Sequence, residues 1–257
     1  MQTTLAGASD RDQSRIAQVL GQLGPGVSAY VAQIADDLIE EFGPSGQTEL
    51  IRRYAEPLAQ LVMMGLLGMD ERYAARVGQS AAAQLVGVNG RASARLDDAL
   101  LELVQEKAKI PGGDLTSWLI HHGRSEPRRE TARLARLLLL AGLERGTARI
   151  SSALGARLIG PHRYQQAARP PLPSAVGALA DLLAETAVKR IAAALPDLRL
   201  RVPTQELLWR SDVAPQCPES LPVVFKPVRF PLSGDPRWLP EPTFTTVPSA
   251  EGRSSEP

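Results

Sequence analysis

The sequence predicts a mainly α-helical domain with a small strand element towards its C-terminal end. Apolar residues recur at i, i+3, i+4 and i+7 through most of the chain up to Leu195. Runs with strand character occur only beyond that point. Glycine and proline punctuate the helical stretches at Gly24-Pro25-Gly26, Gly43-Pro44-Ser45-Gly46, Pro111-Gly112-Gly113 and Pro170-Pro171-Leu172-Pro173. Aromatic residues are only 4% of the chain, so the core has to be aliphatic.

The first helix is expected over 10–22, where Ile16, Val19, Leu20 and Leu23 share a face. The second spans 27–42, with one stripe of Val27, Val31, Ile34, Leu38 and Phe42. A third, over 49–68, is apolar nearly all round its second half and must be deeply buried. Pro57 is expected to kink it. Amphipathic helices follow over 71–88 and 93–109. Asp114 is placed to cap a short helix ending at His121. The longest helix is expected over 128–158, made thin by Gly142, Gly146 and Gly155, and a last core helix over 174–195. Strand candidates are 198–202, 207–210 and 223–225. Residues 1–226 are read as one domain, and 227–257, rich in Pro, Gly and Ser, as a disordered tail.

Composition narrows the function classes. With 29 Lys and Arg against 28 Asp and Glu, no net field favours nucleic acid or an anionic membrane. A single cysteine excludes a disulfide framework and multi-cysteine zinc sites. No apolar run is long enough for a membrane span, and residues 1–20 lack signal-peptide order, so a soluble cytoplasmic protein is expected. Phosphate loops, nucleophile elbows and dinucleotide fingerprints do not occur. His121 and His122 are adjacent and point about 100° apart on a helix, which rules out i, i+4 chelation. A solvated helix end is the expectation for them. Cys217, between Gln216 and Pro218, reads as a structural thiol in a turn near the strands, and Glu185 as a helix-surface carboxylate. No metal site is expected.

Several segments, in order, resemble a bacterial cytochrome P-450. Asp12-Gln13-Ser14-Arg15-Ile16 is similar to the start of that family's C helix, usually Glu-His-Thr-Arg-Leu. Residues 34–42 look like its D helix, and Tyr54-Ala55-Glu56-Pro57-Leu58 with Leu66-Leu67-Gly68-Met69 like its E helix and exit. Leu138-Leu139-Leu140-Ala141-Gly142-Leu143-Glu144 resembles the I helix. Leu195-Pro196-Asp197-Leu198-Arg199-Leu200, Leu208-Trp209-Arg210 and Glu219-Ser220-Leu221-Pro222-Val223 resemble the family's C-terminal end. The resemblance implies a partial, truncated P-450-like helical bundle over roughly 10–226, with 27–42, 49–68, 128–158 and 174–195 as its D, E, I and L helices. Residues 71–88 and 93–109 would be F- and G-like, over a space that haem does not fill and that is collapsed or covered by a partner.

The departures cluster where the family holds haem. The family's iron ligand is a cysteine thiolate just before the L helix. Counting back from Pro196-Asp197-Leu198 puts Ser174 at that position, Leu172 at the basic propionate partner, Ala167 and Pro170 at the aromatic and first glycine, and Val176 at the last glycine. Gln13 replaces the histidine that meets the other propionate, and Arg145 the proton-relay threonine; Thr147 is displaced from it by two positions. Residues 158–170 leave no room for the Glu-x-x-Arg helix, main sheet and meander. A haem-less chain without cofactor follows, not a functional monooxygenase.

The resemblance then implies a helper: haem-less P-450 relatives in bacterial natural-product pathways bind a glycosyltransferase and hold it active. Such a protein is expected to expose an apolar patch. The alternative is a haem-independent cyclase or isomerase of a hydrophobic biosynthetic intermediate, with Glu144, Arg145 and Ser174 as the residues to test. A remnant without a selected role is the third reading, and it would melt without cooperativity.

Overall fold

A computed structural model describes residues 8–85, 90–160, 174–210 and 217–229. Among them the helices are α1 (Asp10–Leu20), α2 (Gly26–Phe42), α3 (Glu56–Leu66), α4 (Glu71–Leu85), α5 (Gly90–Lys109), α6 (Leu115–His122), α7 (Arg128–Ile159) and α8 (Ala175–Ala194). The strands are β1 (Gln47–Glu49), β2 (Arg199–Leu200), β3 (Trp209–Arg210), β4 (Cys217–Pro218) and β5 (Pro222–Val224). The mainly helical architecture is the one the periodicity predicts. Each expected helix is present, and the ends differ by a few residues.

The core is built on α3 and α7. In α3, Leu58, Val62, Met63, Met64 and Leu66 are all at most 1% exposed, which a helix apolar on every side requires. Along α7, Leu134, Leu138, Leu139 and Ala141 are fully buried. Among the described residues the α7–α8 contact is the most extensive, followed by α4–α5 and α2–α8. Two glycines let α3 reach the α7 axis. A Cβ on Gly142 would stand 2.4 Å from Met63 Sδ, and one on Gly146 3.2 Å from Ala59 Cβ and 3.3 Å from Leu183 Cδ2. On the other side of α3, the Tyr30 ring of α2 seats its hydroxyl in the notch left by Gly65.

The segment expected as the start of the third helix folds otherwise. Gln47–Glu49 is a strand, and Ile51–Ala55 is a π-helical turn whose end is marked by the Glu56 N–H donating to Ile51 O. Pro57 does not kink a continuous helix; it lies in the first turn of α3. Proline has no N–H to close an i−4 bond, and the first turn is where that donor is not needed. The wide turn in front of it absorbs the mismatch.

β5 is the central strand of a three-stranded antiparallel sheet, order β1-β5-β2, with Thr48 opposite Val223 and Leu200 opposite Val223. β3 pairs β4 with Trp209 opposite Pro218. The Glu49 carboxylate ties this sheet to the bundle: it accepts from the N–H groups of Ile51 at 3.1 Å, Arg52 at 2.7 Å and Leu221 at 2.6 Å. The rare aromatics close the same corner, with Phe42 edge-on to Tyr54 at 6.2 Å and to Phe225 at 6.0 Å. The Tyr54 hydroxyl donates to Ala187 O at 2.9 Å, so α8 is joined to the π turn. Residues 227–229 still pack, with Val228 N–H donating to Gly43 O at 3.1 Å. The rest of the expected tail, 230–257, lies outside the described residues.

Candidate functional site

The resemblance directs attention to the middle of α7 and the start of α8. Ser174 has extended backbone and stands directly before α8, where its Oγ accepts from Gly177 N–H at 3.0 Å. This is an N-cap: the first N–H groups of a helix have no partner within it, and serine supplies one. A serine immediately before a helical apolar run is itself a sequence sign of that structural role. Val176, where the family carries glycine, is 2% exposed.

Glu144 and Arg145 lie half-buried in α7. Glu144 is engaged with a neighbour. The Arg145 Nε is buried and has no hydrogen-bond partner. The structure does not gather these two with Ser174. Gly146 meets Leu183, and Arg149 donates to Asp181 at 2.5 Å, so α8 runs antiparallel to α7 there. Ser174 precedes Asp181 by seven residues, which carries it on the order of 10 Å towards the C-terminal end of α7, away from Glu144 and Arg145. Thr147 is half-buried. Gln13 is exposed, and its amide Nε2 donates to Ala8 O at 3.4 Å. Ala167, Pro170 and Leu172 lie outside the described residues.

The residues at these positions do not fit a thiolate-bound haem. The position that the resemblance assigns to the ligand offers a neutral hydroxyl already used as a helix cap. The chain's one cysteine lies elsewhere, in β4, whose partner is β3. At the one described propionate position, Gln13 presents a neutral amide and no cation. Glu185 is exposed, in line with its reading as a surface carboxylate.

The expected F- and G-like helices are α4 and α5, which pack on each other, with α5 on α7. Leu96, Leu100, Leu103 and Val104 of α5 are at most 1% exposed. Arg136 of α7 fixes α5 by donating to Ser93 Oγ at 3.0 Å and pairing with Asp97 at 3.4 Å.

Two polar junctions were not foreseen. At the start of α1, Ser9 and Asp12 form a reciprocal capping box, and Asp12 also accepts from Arg133 of α7 at 2.6 Å. Burial pushes the Asp12 carboxyl up, but the bonds from Arg133 and Ser9 outweigh it and hold it below the usual carboxylate range. Glu130 is held low as well, chiefly by its hydrogen bond from Arg133. The second junction is Lys107 with Asp114, 2.8 Å apart, under Gly68 and Gly112. A Cβ on Gly68 would stand 2.7 Å from the Lys107 Nζ, and one on Gly112 2.6 Å from Asp114 Oδ2. Lys107 is one of four lysines in an arginine-rich chain. The scarcity of lysine in the chain was the available signal.

The histidine pair is not a solvated helix end. His121 and His122 are half-buried, and His122 stacks on Trp118 with centroids 5.6 Å apart. Among the described residues no group of three or more His, Cys, Asp or Glu could hold a metal ion, and no helix is long and apolar enough to cross a membrane.

No protein-family profile matches the chain. Over 158 residues it is 30% identical to the 6-deoxyerythronolide B hydroxylase of Saccharopolyspora erythraea, a match that covers 57% of this chain and 39% of that protein. The chain thus spans well under half the length of this curated relative. The structure is similar to BioI, a P-450 solved in complex with hexadec-9Z-enoic acid ligated acyl carrier protein. That match has a TM-score of 0.68 and 18% identity, over 88% of this chain and 87% of that one. It is also similar to a mutant of the mixed-function P-450 MycG in complex with mycinamicin V, with a TM-score of 0.72 and 19% identity over 86% and 80% of the two chains. A third is a monooxygenase involved in teicoplanin biosynthesis, with a TM-score of 0.71 and 15% identity over 87% and 83%. The chain has the cytochrome P-450 fold.

Proposed function

We propose that this chain is a non-catalytic, haem-less auxiliary protein that uses the P-450 fold to bind and activate or stabilise a partner enzyme, glycosyltransferase-like, in bacterial natural-product biosynthesis. The observation that carries the reading is Ser174. Where the family needs a thiolate, this chain has a hydroxyl that serves as the cap of α8. The similar proteins whose names state an activity are a hydroxylase and a monooxygenase, so the departure at that position separates this chain from them. The buried aliphatic faces of α2, α3, α7 and α8 support a bundle that holds without a cofactor.

The mechanism is mass action. A protein that binds only the active conformer of its partner raises that conformer's population by its binding free energy. Among the described residues, the exposed large hydrophobic side chains are Ile110, at 80%, and Leu208, at 64%. These two are the strongly exposed apolar side chains that a partner surface could use among the described residues.

The test is reconstitution. The tagged chain is mixed with a candidate glycosyltransferase of the same producing cell, and both complex stoichiometry and transfer rate are measured. A defined complex with a raised rate or longer-lived transferase supports the reading. Absence of both overturns it. A second reading, the cyclase or isomerase, draws on the unpartnered buried Arg145 Nε. It predicts saturable binding of a hydrophobic intermediate that Arg145→Gln weakens.

A further inference from the structure

We propose that Trp118 and His122 form an acid-sensitive latch that holds α1 against the corner between α6 and α7, and that protonation of His122 opens it. The geometry is a closed set of aromatic and cationic groups. The Trp118 indole lies nearly parallel to the His122 ring, at 5.6 Å and 22°, and edge-on to His121 at 5.5 Å. The two imidazoles are 5.4 Å apart. His122 Nε2 and Trp118 Nε1 are both buried without a hydrogen-bond partner.

Arg15 of α1 enters this corner. It pairs with Glu126 in the α6–α7 connection and reaches Leu119 O at 3.4 Å. It fits because Gly123 has no side chain: a Cβ there would stand 2.3 Å from Arg15 Nη2. α1 is therefore held by a guanidinium lodged between the end of α6 and Glu126.

The charged groups around this corner are mostly cationic, and those that act on His122 itself are His121 and Arg15. His121 is its neighbour on α6, and Arg124 of the connection bonds His121 Nδ1 at 3.0 Å. α1 contributes Arg15, and also Arg11, which pairs with Glu126 at 2.8 Å. α7 contributes Arg133, already occupied by Glu130 and Asp12. The charged pair joining α5 to α6, Lys107 with Asp114, sits at the opposite end of α6. Glu126 is the carboxylate of the corner, and two arginines share it. Burial first, then His121 and Arg15, keep His122 below the ordinary histidine value and neutral at neutral pH.

A proton on His122 puts an imidazolium beside Arg15 with a buried N–H that has no acceptor. The ring relieves this by moving out or by competing for Glu126, and either movement loosens the tie on Arg15. The sign follows from linkage. His122 binds its proton more readily in the unfolded chain, so the latch contributes fully above the ordinary histidine range, near 6.5, and is lost as pH falls below it through the depressed native value.

The test uses the full chain. Histidine-ring carbon-labelled protein is titrated by NMR, with His122 assigned from His122→Gln. In parallel, hydrogen exchange of 10–20 is followed across the same pH range after correction for intrinsic rate. The latch predicts that His122 titrates below the ordinary histidine value and that α1 loses protection with the same midpoint. It further predicts that His122→Phe, which keeps a ring on Trp118, holds α1 protected at acid pH. A His122 midpoint at or above the ordinary value, or α1 protection independent of pH, overturns the latch. So does a His122→Phe protein that opens in acid like the parent. The hydrogen-exchange readout needs no substituted protein to fold.

Discussion

Replacing Gly65 by alanine tests the close approach of α2 to α3. An ideal Cβ at Gly65 lies 1.7 Å from the Tyr30 Oη and 2.7 Å from Cζ, where ordinary contact begins at 3.4 Å. Tyr30 is 5% exposed, so its rigid ring cannot swing into solvent and must retreat between α2 and α3. Overpacking of this kind costs about 1–3 kcal/mol, and a displacement this large belongs near the upper end. Alanine returns at most about 1 kcal/mol of helix propensity. The expected net loss is about 2 kcal/mol. Tyr30→Phe removes a hydroxyl that is buried without a partner, and by itself is neutral or stabilising by up to about 1 kcal/mol. In the double variant the worst contact is gone. Gly65→Ala and Tyr30→Phe should therefore couple favourably by about 1 kcal/mol or more, read from urea unfolding midpoints in a double-mutant cycle. Strictly additive effects, or a Gly65→Ala protein as stable as the parent, would refute the packing argument.

Other consequences are smaller in scale. Ser174→Ala should cost about 1 kcal/mol through loss of the α8 cap, while Ser174→Asp, which keeps a capping oxygen, should cost less; equal losses would remove the cap from the account. Glu49→Ala frees three backbone donors at once and should cost about 2–3 kcal/mol, with faster hydrogen exchange at Leu221 than in α7. Asp12 and Glu130 both titrate below their ordinary values. Their contribution is complete above the usual carboxylate range, near pH 4, and is lost as pH falls through the depressed native values. Asp12→Asn should flatten that acid limb of the stability profile, and an unchanged limb would exclude the Asp12–Arg133 link as its source.

Periodicity was enough to find the helices because each carries its own apolar face, and burial follows from that face. α2 is an example: Val31, Ile34 and Leu38 repeat at helical spacing and all three are buried. β1 was not legible for the converse reason. Gln47-Thr48-Glu49 is short, polar and without alternation, and it is a strand only because β5 supplies the partner. The π turn and the position of Pro57 depend on that same pairing. The histidine corner was misread because its burial is tertiary. Trp118, three and four residues before His121 and His122, shares their helix face and was legible from spacing, but nothing local announces that Arg15 arrives from a helix more than a hundred residues earlier in the chain. At the candidate site, the substitution at Ser174 was visible by counting from the C-terminal segment, but its hydrogen bond was not, and neither was its axial distance from Glu144 and Arg145.

On the proposed function, this P-450 fold stands and works without thiolate-ligated haem. The most direct measurement is the visible absorption spectrum of the full chain, expressed with added haem precursor, purified, reduced and exposed to carbon monoxide, and read alongside haem stoichiometry. The expected result is substoichiometric haem, no thiolate-type carbon monoxide spectrum, and cooperative unfolding that added haem does not shift. One haem per chain with a thiolate-type spectrum would contradict it.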